Sequence, residues 1–337
     1  MNVIFFACFA LNLVSGIVIS ELAINRANQQ NNFEPVSFEE LVEEAGGTSM
    51  GKFAHVTAAF SDWSILAFSF SLLFTHTTLQ TTAIIVAALV GVFTLLEEVT
   101  VLRLNSAIVA CLFISFLALT VPAALSAGGG VGAIAIAIDT PLAVSTALPI
   151  ILLTGLFQNI VPKVTSNLNF ERKNIIPTLA IGSSLPQLMY LTFIHLTNTG
   201  SLPDPEAGNP FLTSFILLST LGSIFSCTFS LSNELKDEFN LFTESNNSNN
   251  NNKRIPILPL LLAILPPIVF SLAAGSGNNE GVLYALKQTG AITPVLYGVL
   301  PAVICHKIKL KCPTGGNLGL ALLGGSSSLL FMSDFVK

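Results

Sequence analysis

The stretch Leu148–Lys163 combines residues that bind ligands with residues that break helices. It carries two prolines, a glycine and the adjacent amides Gln158 and Asn159 within an apolar run. Each proline removes a backbone donor and frees a carbonyl. In hydrocarbon such groups need partners, so an interrupted helix is tolerated only inside protein or beside a polar cavity. The stretch predicts a polar site at membrane depth that binds a carboxylate, an amine or an ion. The residues leave open the alternative of a kinked helix whose amides bond a neighbouring helix.

Two acidic residues, Asp62 and Glu21, lie within or at the end of apolar runs, where a carboxylate could bind a proton or a partner. Asp62 lies well inside another apolar run. An isolated ionised carboxylate there costs about 3 kcal/mol, so the group must be neutral, paired or in a wet cavity. We hold two hypotheses for it, proton carriage and an interior hydrogen bond. Glu21 closes the first apolar run, and we interpret it as a solvated end or a helix contact, with gating as the alternative.

Two common metal and redox motifs are missing from the sequence. It contains no HExxH motif, and its five scattered cysteines form no CxxC pair. We therefore expect neither catalysis nor a metal or other cofactor.

Composition places the chain in a lipid bilayer. Of 337 residues, 52% are apolar and only 10% are charged, against roughly 25% charged in soluble domains. The mean hydropathy is +0.73. These values exclude a soluble globular fold and whole-chain disorder. The 14 basic and 19 acidic residues provide no basic surface for nucleic acid. The sequence predicts an all-α polytopic membrane protein.

Apolar runs long enough to cross a bilayer predict about ten transmembrane helices. The predicted spans are 1–22, 53–75, 78–96, 105–126, 143–164, 175–197, 209–232, 256–274, 284–305 and 314–333. With Met1 on the outer side, the loops place all lysines and arginines on the inner side except Lys287 and Lys337. This bias follows the positive-inside rule and supports the count. Both polar loops, 23–52 and the Asn-rich 233–255, are then internal. Within the first, Ser37 and Glu40 predict a capped interfacial helix.

Several segments resemble the tryptophan/tyrosine permease family, the hydroxy and aromatic amino acid permeases of the amino acid–polyamine–organocation (APC) superfamily. Ile19–Asn25 resembles its second helix, and Leu148–Pro162, with Gln158-Asn159, resembles its sixth. Further similar segments are Val36–Phe38 in the inner loop, Leu231–Asp237 at the end of the eighth helix, and Leu265–Phe270 and Tyr297–Ala302 in the ninth and tenth. The likeness is to members of the plant and algal, plastid type.

The resemblance implies a LeuT-like inverted-repeat transporter fold lacking helix 1. The ten spans then correspond to helices two to eleven. Residues 1–126 would hold helices two to five, 127–142 an outer loop, 143–308 the second inverted repeat, and 314–337 the final helix and tail. The glycine-rich first helix, which forms half of the family's site, has no counterpart here. We therefore expect residues 1–337 alone to show no saturable uptake of tryptophan or tyrosine.

The implied activity is amino acid transport, of an aromatic substrate by proton symport. The implied substrate-binding residues are Thr154, Gly155, Phe157, Gln158 and Asn159, with Asp62 as the candidate for proton coupling. The implied partners are a small amino acid, the proton and the lipid bilayer, in a plastid envelope or plasma membrane. The alternative is a non-transporting membrane scaffold or sensor derived from such a permease, or an incomplete gene model.

Overall fold

A computed structural model describes residues 2–30, 36–126, 157–198, 209–243, 256–273 and 280–308, and within these ranges the chain is helical and has no strand. The first part of predicted span 143–164, all of 314–333, the 127–142 loop and the Asn-rich tract lie outside the described residues.

Eleven α-helices are described. They are α1 (Asn2–Gln30), α2 (Phe38–Gly46), α3 (Thr48–His76), α4 (Leu79–Leu95), α5 (Glu98–Ser126), α6 (Val161–Asn167), α7 (Arg172–Asn198), α8 (Pro210–Thr243), α9 (Ile257–Ala273), α10 (Glu280–Pro294) and α11 (Leu300–Lys307). A 3-10 turn, Gln158–Ile160, precedes α6, and a π-helical turn, Val295–Val299, joins α10 to α11.

Six helical stretches are long and apolar enough to cross a membrane. They are Phe6–Gln30, Thr48–His76, Arg103–Leu125, Arg172–Leu196, Pro210–Lys236 and Tyr284–Lys307. The apolar helices α4 and α9 have 17 residues each, which is the lower limit for a span of about 17–25 residues. These eight helical segments coincide with eight of the ten predicted spans. The all-helical, multi-pass membrane architecture is thereby confirmed in the described part of the chain.

The chain forms two compact units, each made of separate segments. The first contains Met1–Ala58, Val131–His195 and Lys287–Lys337, and the second contains Ala59–Gly130 and Leu196–Leu286. The first unit buries a core from α1, α2, α6, α7, the π turn and α11, including Ile19, Phe38, Val161, Ile175 and Leu296. The second buries a core from α3, α4, α5, α8 and α9, including Phe70, Phe93, Ile224 and Leu260.

The short helix α2 forms where the capping signal predicts it. The Ser37 hydroxyl accepts from the backbone N–H of Glu40 at 3.1 Å, and the Ser37 N–H donates to the Glu40 carboxylate at 3.0 Å. This reciprocal pair satisfies two N–H groups at the helix start. At the other end Gly47 has φ 101°, a value that disfavours residues with a Cβ atom. Local chemistry therefore sets both ends of α2.

An ion pair, a hydrogen bond and an aromatic contact anchor α2 to the rest of the first unit. Arg26 of α1 makes a two-bond ion pair with Glu44, at 2.7 and 2.8 Å. Lys307 at the end of α11 donates to the carbonyl of Gly46 at 3.1 Å. Phe38 is buried, and its ring centroid lies 5.2 Å from that of Tyr297. The helix is thus fixed against α1, the π turn and α11.

Candidate functional site

Phe157, within the stretch where the sequence predicts an interrupted helix, does not have helical geometry. Phe157 has φ −141° and ψ 2°, and the helical path starts with the 3-10 turn at Gln158. Pro162 has no N–H to donate to the carbonyl of Gln158, four residues earlier. The N–H of Val161 donates to that carbonyl instead. The proline therefore accounts for the 3-10 turn at this helix start.

Gln158 ties this helix start to α1. Its side chain is fully buried. The backbone N–H of Phe157 donates to its Oε1 at 2.9 Å. Its Nε2 donates to two oxygens of Asn12, the backbone carbonyl at 3.3 Å and Oδ1 at 3.1 Å. Both ends of the amide are thus engaged within the protein.

A glycine on α1 allows the closest approach of Phe157. A Cβ atom added to Gly16 would lie 2.7 Å from Cε2 of the Phe157 ring and 2.9 Å from its Cζ. Such distances are well inside van der Waals contact, so only glycine fits without a shift. Gly16 follows Asn12 by four residues and therefore lies on the same face of α1. One face of α1 thus receives both Phe157 and Gln158.

Asn159 is bonded to the π-helical turn. The hydroxyl of Tyr297 donates to Oδ1 of Asn159. The carbonyl of Tyr297 would accept from residue 301 in a regular α-helix, but residue 301 is a proline with no N–H. Ser15 of α1 donates its hydroxyl to that carbonyl instead. Tyr297 therefore links the helix start at 157–160 to α1, and its ring packs on Phe38.

We call the cluster of Asn12, Ser15, Gly16, Phe157, Gln158, Asn159 and Tyr297 the break site. The structure brings three predicted residues, Phe157, Gln158 and Asn159, together within it. The other two, Thr154 and Gly155, lie outside the described residues. The sequence analysis missed Asn12, Ser15, Gly16 and Tyr297 as members. The sequence offered two signals for them. Asn12 is a polar residue in the middle of span 1–22, and Pro301 follows Tyr297 by four positions.

Glu21 is paired across the first unit. Its carboxylate is almost completely buried, and Arg172, at the start of α7, donates to it at 2.6 Å. The Arg172 side chain is more than half exposed. Of the interpretations of Glu21 left open by the sequence, the helix contact is the one the structure shows. The pair connects the inner part of α1 to α7.

Two of the glutamates of α2 have pKa values shifted in opposite directions, because one is buried and the other is paired with an arginine. Burial raises the pKa of Glu39 above that of an ordinary glutamate, because desolvation penalises the charged form. The hydrogen bonds from Arg26 lower the pKa of Glu44. Glu39 is therefore stabilised in its neutral form, and Glu44 as a carboxylate.

Asp62 belongs to the second unit and is buried on α3. Its neighbours on that helix include the buried hydroxyls of Ser61 and Ser64. Within the described ranges, no three His, Cys, Asp or Glu side chains are grouped as metal ligands.

Comparison with known protein families matches more than half of the chain. A sequence model of the tryptophan/tyrosine permease family matches residues 2–208, more than half of the 337 residues. The match includes α1, Glu21, Asp62 and the break-site residues up to Asn159. No curated protein matches the chain. The resemblance deduced from the sequence is thus confirmed. This multi-pass membrane protein belongs to the tryptophan/tyrosine permease family, a family of amino acid transporters.

Proposed function

We propose that the protein carries an aromatic amino acid, tryptophan or tyrosine, across its membrane by proton symport. The observation that carries this proposal is the break site, where a helix starting at membrane depth is bonded to α1 and to a π-helical turn. Non-helical backbone at this depth is tolerated where it is buried in protein or lines a site. Transporters bind their substrates at such interrupted helices.

The side chains of the break site suit an aromatic amino acid. Its polar groups are neutral amides and hydroxyls, which bond a zwitterion without adding a net charge. Phe157 presents a partly buried ring, and aromatic pairs contribute about 0.5–1.5 kcal/mol beyond area burial. The family description, tryptophan/tyrosine permease, supports the same substrate class. Thr154 and Gly155 remain proposed backbone contributors.

The organisation of the units supports an inverted-repeat, LeuT-like fold. The proposed repeats are residues 1–126 and 143–308. Each compact unit takes segments from both of them, such as Met1–Ala58 and Val131–His195 in the first unit. Packing that mixes the two halves of a chain is the arrangement expected when two repeats intertwine. The ten-helix count, with the repeat boundaries, is part of this proposal.

We assign proton coupling to Asp62. Its carboxyl group is buried on α3, in a predicted membrane span where an isolated ionised carboxylate is costly. A carboxyl group that binds a proton from one side of the membrane and releases it to the other couples proton flow to substrate flow. Intramembrane acidic residues serve this purpose in many transporters.

Uptake measurements test the proposal. The gene's whole reading frame, with any in-frame sequence before Met1, is expressed in a host that lacks aromatic amino acid transport. We expect saturable tryptophan or tyrosine uptake that an inward proton gradient stimulates and a protonophore abolishes. Uptake unaffected by the protonophore would contradict symport. No saturable uptake or exchange of any amino acid would contradict the transport function.

The variant Asp62→Asn separates coupling from binding. It keeps the shape of the side chain but cannot release a proton. We expect gradient-driven accumulation to be lost while exchange of labelled for unlabelled substrate persists. Ser64→Ala is the matched control, because Ser64 is buried on the same helix and its hydroxyl donates to the local carbonyl of Phe60. Normal accumulation by Asp62→Asn would contradict the assignment.

A further inference from the structure

We propose that the side-chain amide nitrogen of Asn12 is the hydrogen-bond donor that binds the substrate's carboxylate. This inference rests on the proposed function, because it concerns the same break site. It names a residue on α1 that the sequence analysis did not select. It also names the chemical group that this residue recognises.

The orientation of the Asn12 amide follows from the backbone around it. A backbone N–H is always a donor, so the Phe157 N–H identifies the Gln158 atom that it contacts as the oxygen. The opposite end of Gln158 is then the nitrogen, which agrees with its bond to the Asn12 backbone carbonyl, an obligatory acceptor. That nitrogen also donates to the Asn12 side chain, which must present its oxygen there. The Asn12 NH₂ group therefore points the other way.

The Asn12 nitrogen is a buried donor without a partner. The residue is 7% exposed. Among the residues that the structure describes, nothing accepts a hydrogen bond from its Nδ2. A buried donor left without a partner costs about as much as a lost hydrogen bond. A bound ligand with an acceptor atom supplies the missing hydrogen bond and removes this cost.

The chemistry of Asn12 selects a carboxylate over an ammonium group. Both oxygens of Asn12 already accept from Gln158, whereas the nitrogen has two hydrogens to donate. An amino acid offers one strong acceptor group, its carboxylate. Hydrogen bonds to a charged acceptor are about twice as strong as neutral ones. Gln158 thus acts as a positioning residue that fixes Asn12, and Asn12 contacts the substrate.

The test compares ligands that differ only in the carboxylate. Protein expressed from the whole reading frame, with any in-frame sequence before Met1, is purified into nanodiscs. It is titrated with L-tryptophan and with tryptamine, and with L-tyrosine and tyramine, by calorimetry or by displacement of labelled substrate. In Asn12→Leu, which has similar volume and no donor, we expect the amino acids to bind about ten- to a hundredfold more weakly. The decarboxylated amines should change less than threefold. The preference for amino acid over amine therefore falls by at least about threefold and by up to about a hundredfold.

A purely structural role of Asn12 gives a different result. Loss of packing would weaken amino acids and amines alike, and the ratio of their affinities would stay constant. That result, in a variant with a normal elution profile, overturns the assignment. Asn12→Asp provides a second variant, which retains the acceptor for Gln158 and replaces the donor with oxygen. We expect it to lose amino acid binding at neutral pH.

Ser20→Ala is the matched control. Ser20 is buried on α1, two turns after Asn12, and its hydroxyl bonds the carbonyl of Ile17 on the same helix. We expect unchanged affinity for all four ligands. Failure of the unmodified protein to bind any amino acid counts against the proposed function itself. Binding by the unmodified protein, with an unchanged ratio in Asn12→Leu and Asn12→Asp, counts only against the role of Asn12.

Discussion

Gly16 and Phe157 lie so close that a methyl group on Gly16 would be 2.7 Å from the Phe157 ring. Gly16→Ala should therefore push the ring away and displace the helix start at 157–160 from α1. Overpacking of this kind costs about 1–3 kcal/mol. We expect a lower melting temperature of the purified protein and a raised Michaelis constant for uptake.

Gly91→Ala is the control for this prediction. Gly91 lies inside α4, and nothing comes within 4 Å of a Cβ added there. Alanine in a helix interior is more favourable than glycine by about 0.5–1 kcal/mol. We expect an unchanged or slightly raised melting temperature and normal uptake. If Gly16→Ala and Gly91→Ala had the same melting temperature and the same uptake kinetics, the close contact between Gly16 and Phe157 would be contradicted.

Gln158→Ala and Asn159→Ala should weaken apparent substrate affinity by roughly ten- to a hundredfold, which corresponds to about 1.5–3 kcal/mol for a bond to a charged group. Gln158 acts by fixing Asn12, and Asn159 is a proposed substrate contact whose oxygen also accepts from the Tyr297 hydroxyl. The measurement is uptake kinetics normalised to the amount of protein in the membrane. Lower abundance with a normal Michaelis constant per molecule would mean that these amides only join helices.

The Glu21–Arg172 pair should respond asymmetrically to mutation. Arg172→Gln leaves the buried Glu21 carboxylate without its charged partner, and breaking a buried pair in this way costs up to about 3–5 kcal/mol. Glu21→Gln removes the buried charge and leaves Arg172 largely in solvent. We expect Arg172→Gln to lower the melting temperature more than Glu21→Gln does. The double variant should resemble Glu21→Gln.

Lys173→Gln is the matched control for the ion pair. Lys173 lies 3.3 Å from Glu171, and both side chains are exposed. Exposed pairs contribute about 0–1 kcal/mol, so little change is expected. A larger effect of Glu21→Gln than of Arg172→Gln would contradict the buried position of the Glu21 charge.

The attachment of α2 should be strongest over an intermediate pH range. Since the pKa of Glu39 is raised, its contribution is full below the ordinary glutamate pKa and is lost as the pH rises through the raised value. Since the pKa of Glu44 is lowered, its contribution is present above the ordinary pKa and is lost as the pH falls through the lowered value. His55 and Glu40 act on the Glu39 charge with opposite signs.

Amide hydrogen exchange of residues 38–46, corrected for the intrinsic pH dependence of exchange, measures this effect. We expect Glu39→Gln to remove the loss of protection on the alkaline side. Glu44→Gln should remove the loss on the acidic side. Protection that rises steadily with pH in the unmodified protein would contradict the buried environment of Glu39.

The two polar loops should face the same, inner side of the membrane. In a variant without native cysteines, single cysteines at Gln30 and Ser248 should react with an impermeant reagent from the same side of sealed vesicles. A cysteine at Gly129, in the predicted outer loop, should react from the opposite side. Labelling of Gln30 and Ser248 from opposite sides would overturn the predicted span count.

Features set by neighbouring residues were predictable from the sequence, and features set by distant residues were not. The cap of α2 depends on Ser37 and Glu40, three positions apart, and the apolar runs gave most helix positions. The break site is held by bonds between residues 138 to 282 positions apart. No local pattern specifies which amide of the interrupted helix meets which turn of α1. Asn12 is one polar residue in an apolar run, so its role becomes visible only when Gln158 lies against it.

The π-helical turn at Val295–Val299 has a consequence for the evolution of this segment. A π turn holds one residue more than an α-helical turn, so it corresponds to a single-residue insertion that rotates everything after it by about 100°. Deleting one residue there would turn Ile304 and Cys305, both fully buried, away from the core. Homologues without this wide turn should therefore align with a one-residue gap between positions 295 and 299, inside a helix, where gaps are otherwise rare.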